Sequence, residues 1–393
     1  MIGLVLLGVA VVGALAGVVV FGRALRRRHL DRWLIPYLVQ AVARWRPRRR
    51  GPVHLLLCIA DHYEPKRGGA DLAVARERVA CWTRDYPRLL GSFRDADGRP
   101  PRHTFFYPAE EYEPELLDDL AELCNAGFGE VEVHLHHDDD TADNLARTLL
   151  DFKATLADRH GLLARDPATG EPVYAFIHGN WALDNSRPDG RWCGVNNELD
   201  VLRQTGCYAD FTLPSAPSAT QTPTINTIYR AVDDPAKPRS HDRGVAVGGR
   251  PAPPDSLLLI QGPLVLDWAR RRVENGCLQA SQPAHIDRLA AWLHARVQVP
   301  DRPDWHFVKL HTHGAEEGNS AMLLGPAMVE FHQALARRAA ADPDFSYHYV
   351  TAREMYNLVR AAEAGWTGSV AEARDFELRW RPSPPSPRTD ADG

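Results

Sequence analysis

"HTFFYPAEEYEPELLDDLAELCNAGFGEVEVHLHH", residues 103–137, decides the fold. It opens on aromatic residues suited to a strand and pauses at Pro108. A helical pattern then starts at Pro114 and stops before Gly127, the usual order of proline at the start and glycine past the end. Val131, Val133 and Leu135 close the stretch with the period of two that marks a strand. Strand, helix and strand in one short stretch form the unit of a parallel sheet.

The same alternation runs outward in both directions. Upstream, "VHLLLCIADH" (53–62) predicts a strand and "ADLAVARERVACWTRDYPRLLGSF" (70–93) a helix. Downstream, "PVYAFIHGNW", "CYADFTLP", "DSLLLIQGPLVL", "WHFVKLHTHG" and "FSYHYVT" predict strands, with helical patterns between most of them. Seven or eight strands over about 330 residues predict an α/β fold: a distorted (β/α) barrel of about seven strands. An open doubly wound sheet is the alternative, and in both folds chemistry gathers at the C-terminal strand ends. Residues 231–255, rich in proline and glycine, read as a long loop inside the domain.

The termini differ from this body. Residues 2–21 are apolar and uncharged, the length of a bilayer-spanning helix. No basic residues precede them, so a cleavable signal is not expected. Residues 23–50 carry ten arginines and one acid. The chain therefore divides into a transmembrane anchor (1–22), a basic juxtamembrane segment (23–50), the barrel domain (51–380) and a disordered tail (381–393). The arginines place the main domain on the cytoplasmic face of the cell membrane, with a periplasmic or extracellular domain as the alternative. They also suit a helix, broken near Pro36, lying on anionic headgroups of the bilayer, with a simple basic linker as the equal alternative.

The formal net charge is -5, so outside the basic segment the chain is acidic, which argues against nucleic-acid binding. Six cysteines form no C-x-x-C pair and several lie in apolar runs, so they read as buried free thiols.

The strand ends carry the chemistry. The first ends in "ADHYEP", with Asp61, His62 and Glu64; another ends in "HLHHDDD". "HGNWALDN" offers His178, Asn180, Trp181 and Asp184, and "KLHTHGAEE" offers His311 and His313. Strand alternation puts His134 and His136 on one face, able to reach one ion. Imidazole and carboxylate ligands suit a divalent metal, foremost zinc. An aromatic among polar groups, as at Trp181, suits a sugar. His178 also reads as a core histidine, His54, His103 and His306 as structural, and Asp139 and Asp140 with Thr141 as the start of a helix.

The stretch 103–137 resembles the polysaccharide deacetylase superfamily, which includes carbohydrate esterase family four: a T-F-F strand, a helix begun near proline, a glycine turn and a strand reaching a histidine. The resemblance extends more weakly over residues 52–360, where "HYVTAREMYNLV" is similar to the closing strand and helix. It implies removal of acetyl groups from N- or O-acetylated sugars or polysaccharide precursors. It maps Asp61 to the general base and His62 and His134 to metal ligands. His136 or Asp138 stands for the second histidine of the family motif. His311, with His313 next, is implied as general acid, and His178, Asn180, Trp181 and Asp184 as the sugar site. Other readings are a barrel glycosidase or amidohydrolase, and a silent carbohydrate-binding member of a polysaccharide biosynthesis complex.

Overall fold

The computed structural model describes residues 16, 17, 19, 20, 22–45 and 51–380. The predicted tail 381–393 and most of the predicted span 2–21 lie outside these residues. Among the described residues no helix is long and apolar enough to cross a membrane.

Among the described residues thirteen strands form in chain order: β1 (Val53–His62), β2 (His103–Pro108), β3 (Gly129–Leu135), β4 (Ala164–Arg165), β5 (Pro172–His178), β6 (Cys207–Asp210), β7 (Ile228–Val232), β8 (Val245–Ala246), β9 (Ser256–Ile260), β10 (Val265–Asp267), β11 (Arg272–Glu274), β12 (Trp305–Thr312) and β13 (Phe345–Tyr349). Eleven of them make one mixed sheet in the order β12-β1-β2-β3-β5-β6-β9-β7-β8, with β13 also on β1 and β4 on β5. β1 is flanked by three partners, all parallel: β12 along its length, β13 on its first half and β2 at its end.

This corrects the predicted fold class. The sheet is not a closed barrel, and no described helix supplies the predicted membrane span. The reason lies after β6. β7 returns antiparallel to β9 and pairs antiparallel with β8, so the expected run of parallel crossovers ends there. The apolar run 255–266 also breaks: β9 joins the sheet, whereas β10 leaves it for a two-stranded ribbon with β11. The two sides of the sheet still approach each other. Lys309 Nζ on β12 donates to Phe211 O (2.6 Å) and Leu213 O (2.7 Å), just past β6. Gly262 lies against Lys309 O, where a Cβ would collide.

Both faces of the sheet are buried, each in its own core. Along β1, Leu55, Leu57 and Ile59 join one core and Leu56, Cys58 and Ala60 the other. The first core takes the helices Leu72–Leu90, Pro114–Asn125 and Ala142–Ala154. The second takes the helix Ala352–Glu363 and, from the basic segment, Trp33 and Tyr37.

The described part of that basic segment packs on the domain. Helix Leu34–Trp45 runs unbroken, with Pro36 in its first turn, where an absent N–H breaks no intrahelical bond. Trp33 and Tyr37 are buried, Arg44 sits 4.1 Å over the Tyr37 ring, and Gln40 Nε2 donates to Ile225 O (2.8 Å). Arg32 pairs with Asp242 at 2.9 Å.

Candidate metal centre

Glu64 is the pivot of the site. It lies just past the end of β1, is buried, and belongs to two groups of potential ligands: His62, Glu64 and His313, and Glu64, His134 and His136. In each group the ligand atoms lie within 4.8 Å of one another. Alternation explains the convergence. His134 and His136 follow one face of β3, His62 and Glu64 continue one face of β1, and His311 and His313 one face of β12.

Each imidazole from β3 has a defined orientation. His134 Nδ1 donates to Ile177 O (2.7 Å), leaving Nε2 3.3 Å from Glu64 Oε1. His136 Nδ1 meets Glu110 Oε1 at 2.5 Å, leaving Nε2 3.7 Å from Glu64 Oε1. An outer partner on one nitrogen with the other aimed inward is how metal-binding histidines are held. The ring of His62 lies 4.9 Å from that of His134 and 4.8 Å from that of His313, between centroids.

The electrostatics match. Burial drives His62 and His311 well below the usual imidazole range, reinforced by neighbouring histidines and Lys309. His313 is also lowered by burial, against the pull of Glu64. Neutral imidazoles are the form that binds a metal. For Glu64, burial raises the pKa, but His134, His313 and Arg67 outweigh it and hold the carboxyl at about 2. His136 is the only ring of the two groups that is not fully buried; burial lowers it, but Glu110 and Glu64 outweigh that and raise it. These donors fit a first-row divalent ion.

Glycine makes room at two points. A Cβ on Gly179 would strike the His136 ring, and one on Gly314 would strike Asp61 Oδ2. Trp181 adopts φ 54°, an uncommon conformation for a bulky residue and one often found at functional sites. Its ring is 5.6 Å from His62 and 5.8 Å from His313, and its buried Nε1 has no partner among the described residues. His311 lies 6.4 Å from the same indole.

Other residues singled out in the sequence lie elsewhere. Asp61 is on the opposite face of β1 from His62. Both its oxygens are engaged, by His103 Nε2 (2.8 Å) and Gly314 N–H (2.6 Å), so it anchors the turn after His313. Asp138 Oδ1 accepts from Trp192 N (2.5 Å) and joins neither group. His178 and Asp184 are fully buried, and Asp184 accepts from Ser240 N. Asn180 remains beside Trp181, half-buried. Sequence reading did not single out Glu110, whose signal was only its place just past β2, and it took His103 for a plain structural residue. A further acidic group, Asp95, Asp97 and His348, is already served by the Arg374 guanidinium, 3.0 Å from Asp95 and 2.7 Å from Asp97.

Chain-wide comparison adds no relatives: the sequence matches no family model and no curated protein.

Proposed function

We propose that the protein is a metal-dependent hydrolase that removes acetyl groups from sugars or polysaccharide precursors. One observation carries the reaction class: a buried Glu64 approached from three strands by His62, His134, His136 and His313. The likeness of residues 103–137 to polysaccharide deacetylases supplies the substrate class.

His62, Glu64, His134 and His313 would hold the ion. A divalent ion there supplies Lewis acidity towards an acyl carbonyl and lowers the pKa of water. His136, oriented by Glu110 and reachable from solvent, takes the proton of the attacking water and returns it to the leaving amine or alkoxide. Trp181 presents its ring to the sugar face. Asp61 positions the His313 turn through Gly314.

The test is acetate release from a panel of acetylated sugars by the full-length protein, with metal content measured on the same samples. His134→Ala is expected to lose metal and at least about 10²-fold in kcat/KM. Asp61→Asn keeps an acceptor for Gly314 N–H and is expected to stay within about tenfold of wild type, far above the loss a missing general base would cause. Full turnover in His134→Ala sinks the proposal.

The substrate class also bears on location. Ile35, Leu38, Val39 and Val42 follow i, i+3, i+4 and i+7 spacing on the outer face of helix Leu34–Trp45 and are 54–71% exposed. Trp268, 77% exposed, stands by a cleft lined with Arg27, Arg28, Arg271 and Arg272. Aliphatic and aromatic groups flanked by arginines suit the surface of an anionic membrane, on which the protein would lie.

A further inference from the structure

His137 follows His136 directly but serves another cluster. It meets His178, Cys193 and Glu198, and the four ligand atoms lie within 4.8 Å of one another. His178 extends the face of β5 that carries Tyr174 and Phe176, away from the face that continues into His134 and His136. Glu198, Cys193 and His178 are all fully buried.

Three contacts to Glu198 have the lengths of edges in a tetrahedral ion site. Bonds of about 2.0–2.3 Å to zinc imply ligand-to-ligand edges of about 3.3–3.7 Å. His137 Nε2 lies 3.2 Å from Glu198 Oε1, His178 Nε2 3.5 Å from the same oxygen, and Cys193 Sγ 3.5 Å from Glu198 Oε2. His178 Nε2 is wholly buried and makes no hydrogen bond among the described residues, yet it points into the cluster.

Each ligand also has an outer partner. His178 Nδ1 meets Gly179 O at 2.5 Å, which fixes the tautomer with Nε2 free. His137 Nδ1 lies 3.2 Å from Asp140 Oδ2, an ion-pair contact without the alignment of a hydrogen bond. Cys193 Sγ accepts N–H groups from Asn185 (3.3 Å) and Val195 (3.4 Å), and its thiol reaches Val195 O and Glu198 Oε2, both at 3.5 Å. Glu198 Oε2 accepts from Asp184 N (2.5 Å).

We propose that His137 Nε2, His178 Nε2, Cys193 Sγ and Glu198 bind a structural zinc ion. Four protein ligands, one a thiolate, with no open position and no exposed face, favour zinc over magnesium or calcium. Binding displaces the thiol proton to solvent and leaves no unmatched buried carboxylate. The ion ties the segment 179–198, which carries Trp181, to the ends of β3 and β5. The site stands apart from the Glu64 centre and holds whether or not that centre is catalytic.

Cobalt substitution of the full-length protein tests it, because among the described residues only this cluster of potential ligands offers sulfur. Wild type and His134→Ala are both expected to show a near-ultraviolet thiolate-to-cobalt charge-transfer band, and Cys193→Ser to lack it. Elemental analysis should show Cys193→Ser and His137→Asn each losing one equivalent of zinc that His134→Ala keeps. Because the band is read first in wild type, a misfolded variant does not blunt the test. Cobalt-loaded wild type without that band, or folded Cys193→Ser and His137→Asn with undiminished zinc, would overturn the proposal.

Discussion

Glu132 precedes His134 by two residues and shares its face of β3. Its carboxylate accepts from the Tyr208 hydroxyl and from Ala175 N–H (2.6 Å). Burial pushes its pKa up to about 8, against those two hydrogen bonds. The folded protein therefore holds a proton that the unfolded chain releases from about pH 4.5 upward. Stability contributed by the neutral form is complete below that value and is lost as pH rises through about 8. Glutamine can turn its oxygen to Ala175 and its amide to Tyr208 with no charge to bury. Glu132→Gln should melt above wild type at pH 8, with the gain vanishing near pH 5; parallel melting curves across that range would refute it. The alternation that places Glu132 also decided what was legible at the site. It read His134 and His136 correctly as neighbours. Applied to β1 it pairs His62 with Glu64 and sends Asp61 to the opposite face, whereas the family likeness had joined Asp61 to His62. Cys193 and Glu198 carried no such periodic signal, since they lie on a loop and a short helix that only tertiary folding brings to His137.

At the scale of elements, most strands and helices were legible because hydrophobic period and helix-end residues agree. Helix Pro114–Asn125 begins at its proline, and Thr351 with Glu354 forms a capping box that starts helix Ala352–Glu363. β7 was missed because "TIYRAV" is short and follows an irregular proline- and threonine-rich stretch, and with it went the antiparallel turn that keeps the sheet from closing. Helix Leu34–Trp45 was expected on lipid, and its sequence could not show that one face is spent on the protein's own core. Its outer face remains, and each aliphatic side chain fully buried in lipid is worth roughly 1.5–3 kcal/mol. Full-length protein should co-sediment with phosphatidylglycerol-containing vesicles, and Val39→Glu with Val42→Glu should reduce the bound fraction at least about tenfold. Equal binding of the double variant would remove the helix from the contact, and equal binding to neutral vesicles would remove the arginines.

On the scale of the whole molecule, the three neighbours of β1 set a timetable for folding. β1 leaves the ribosome early, yet β12 follows roughly 240 residues later and β13 later still. At about 5–20 residues per second, "HLLLCIA" waits some tens of seconds with both edges unpaired, apolar and uncharged. A chain ending at residue 341, which lacks β13 and helix Ala352–Glu363, should therefore accumulate as insoluble material; recovery of that fragment as soluble, cooperatively melting protein would contradict this. The nascent chain is thus a natural client for chaperones that shield exposed strands. Because His313 leaves the ribosome after β12, the group of His62, Glu64 and His313 cannot be complete until the chain is nearly finished, so the full set of ligands around Glu64 assembles late. The His137–Cys193 cluster needs nothing beyond residue 198 and is free to take its ion first.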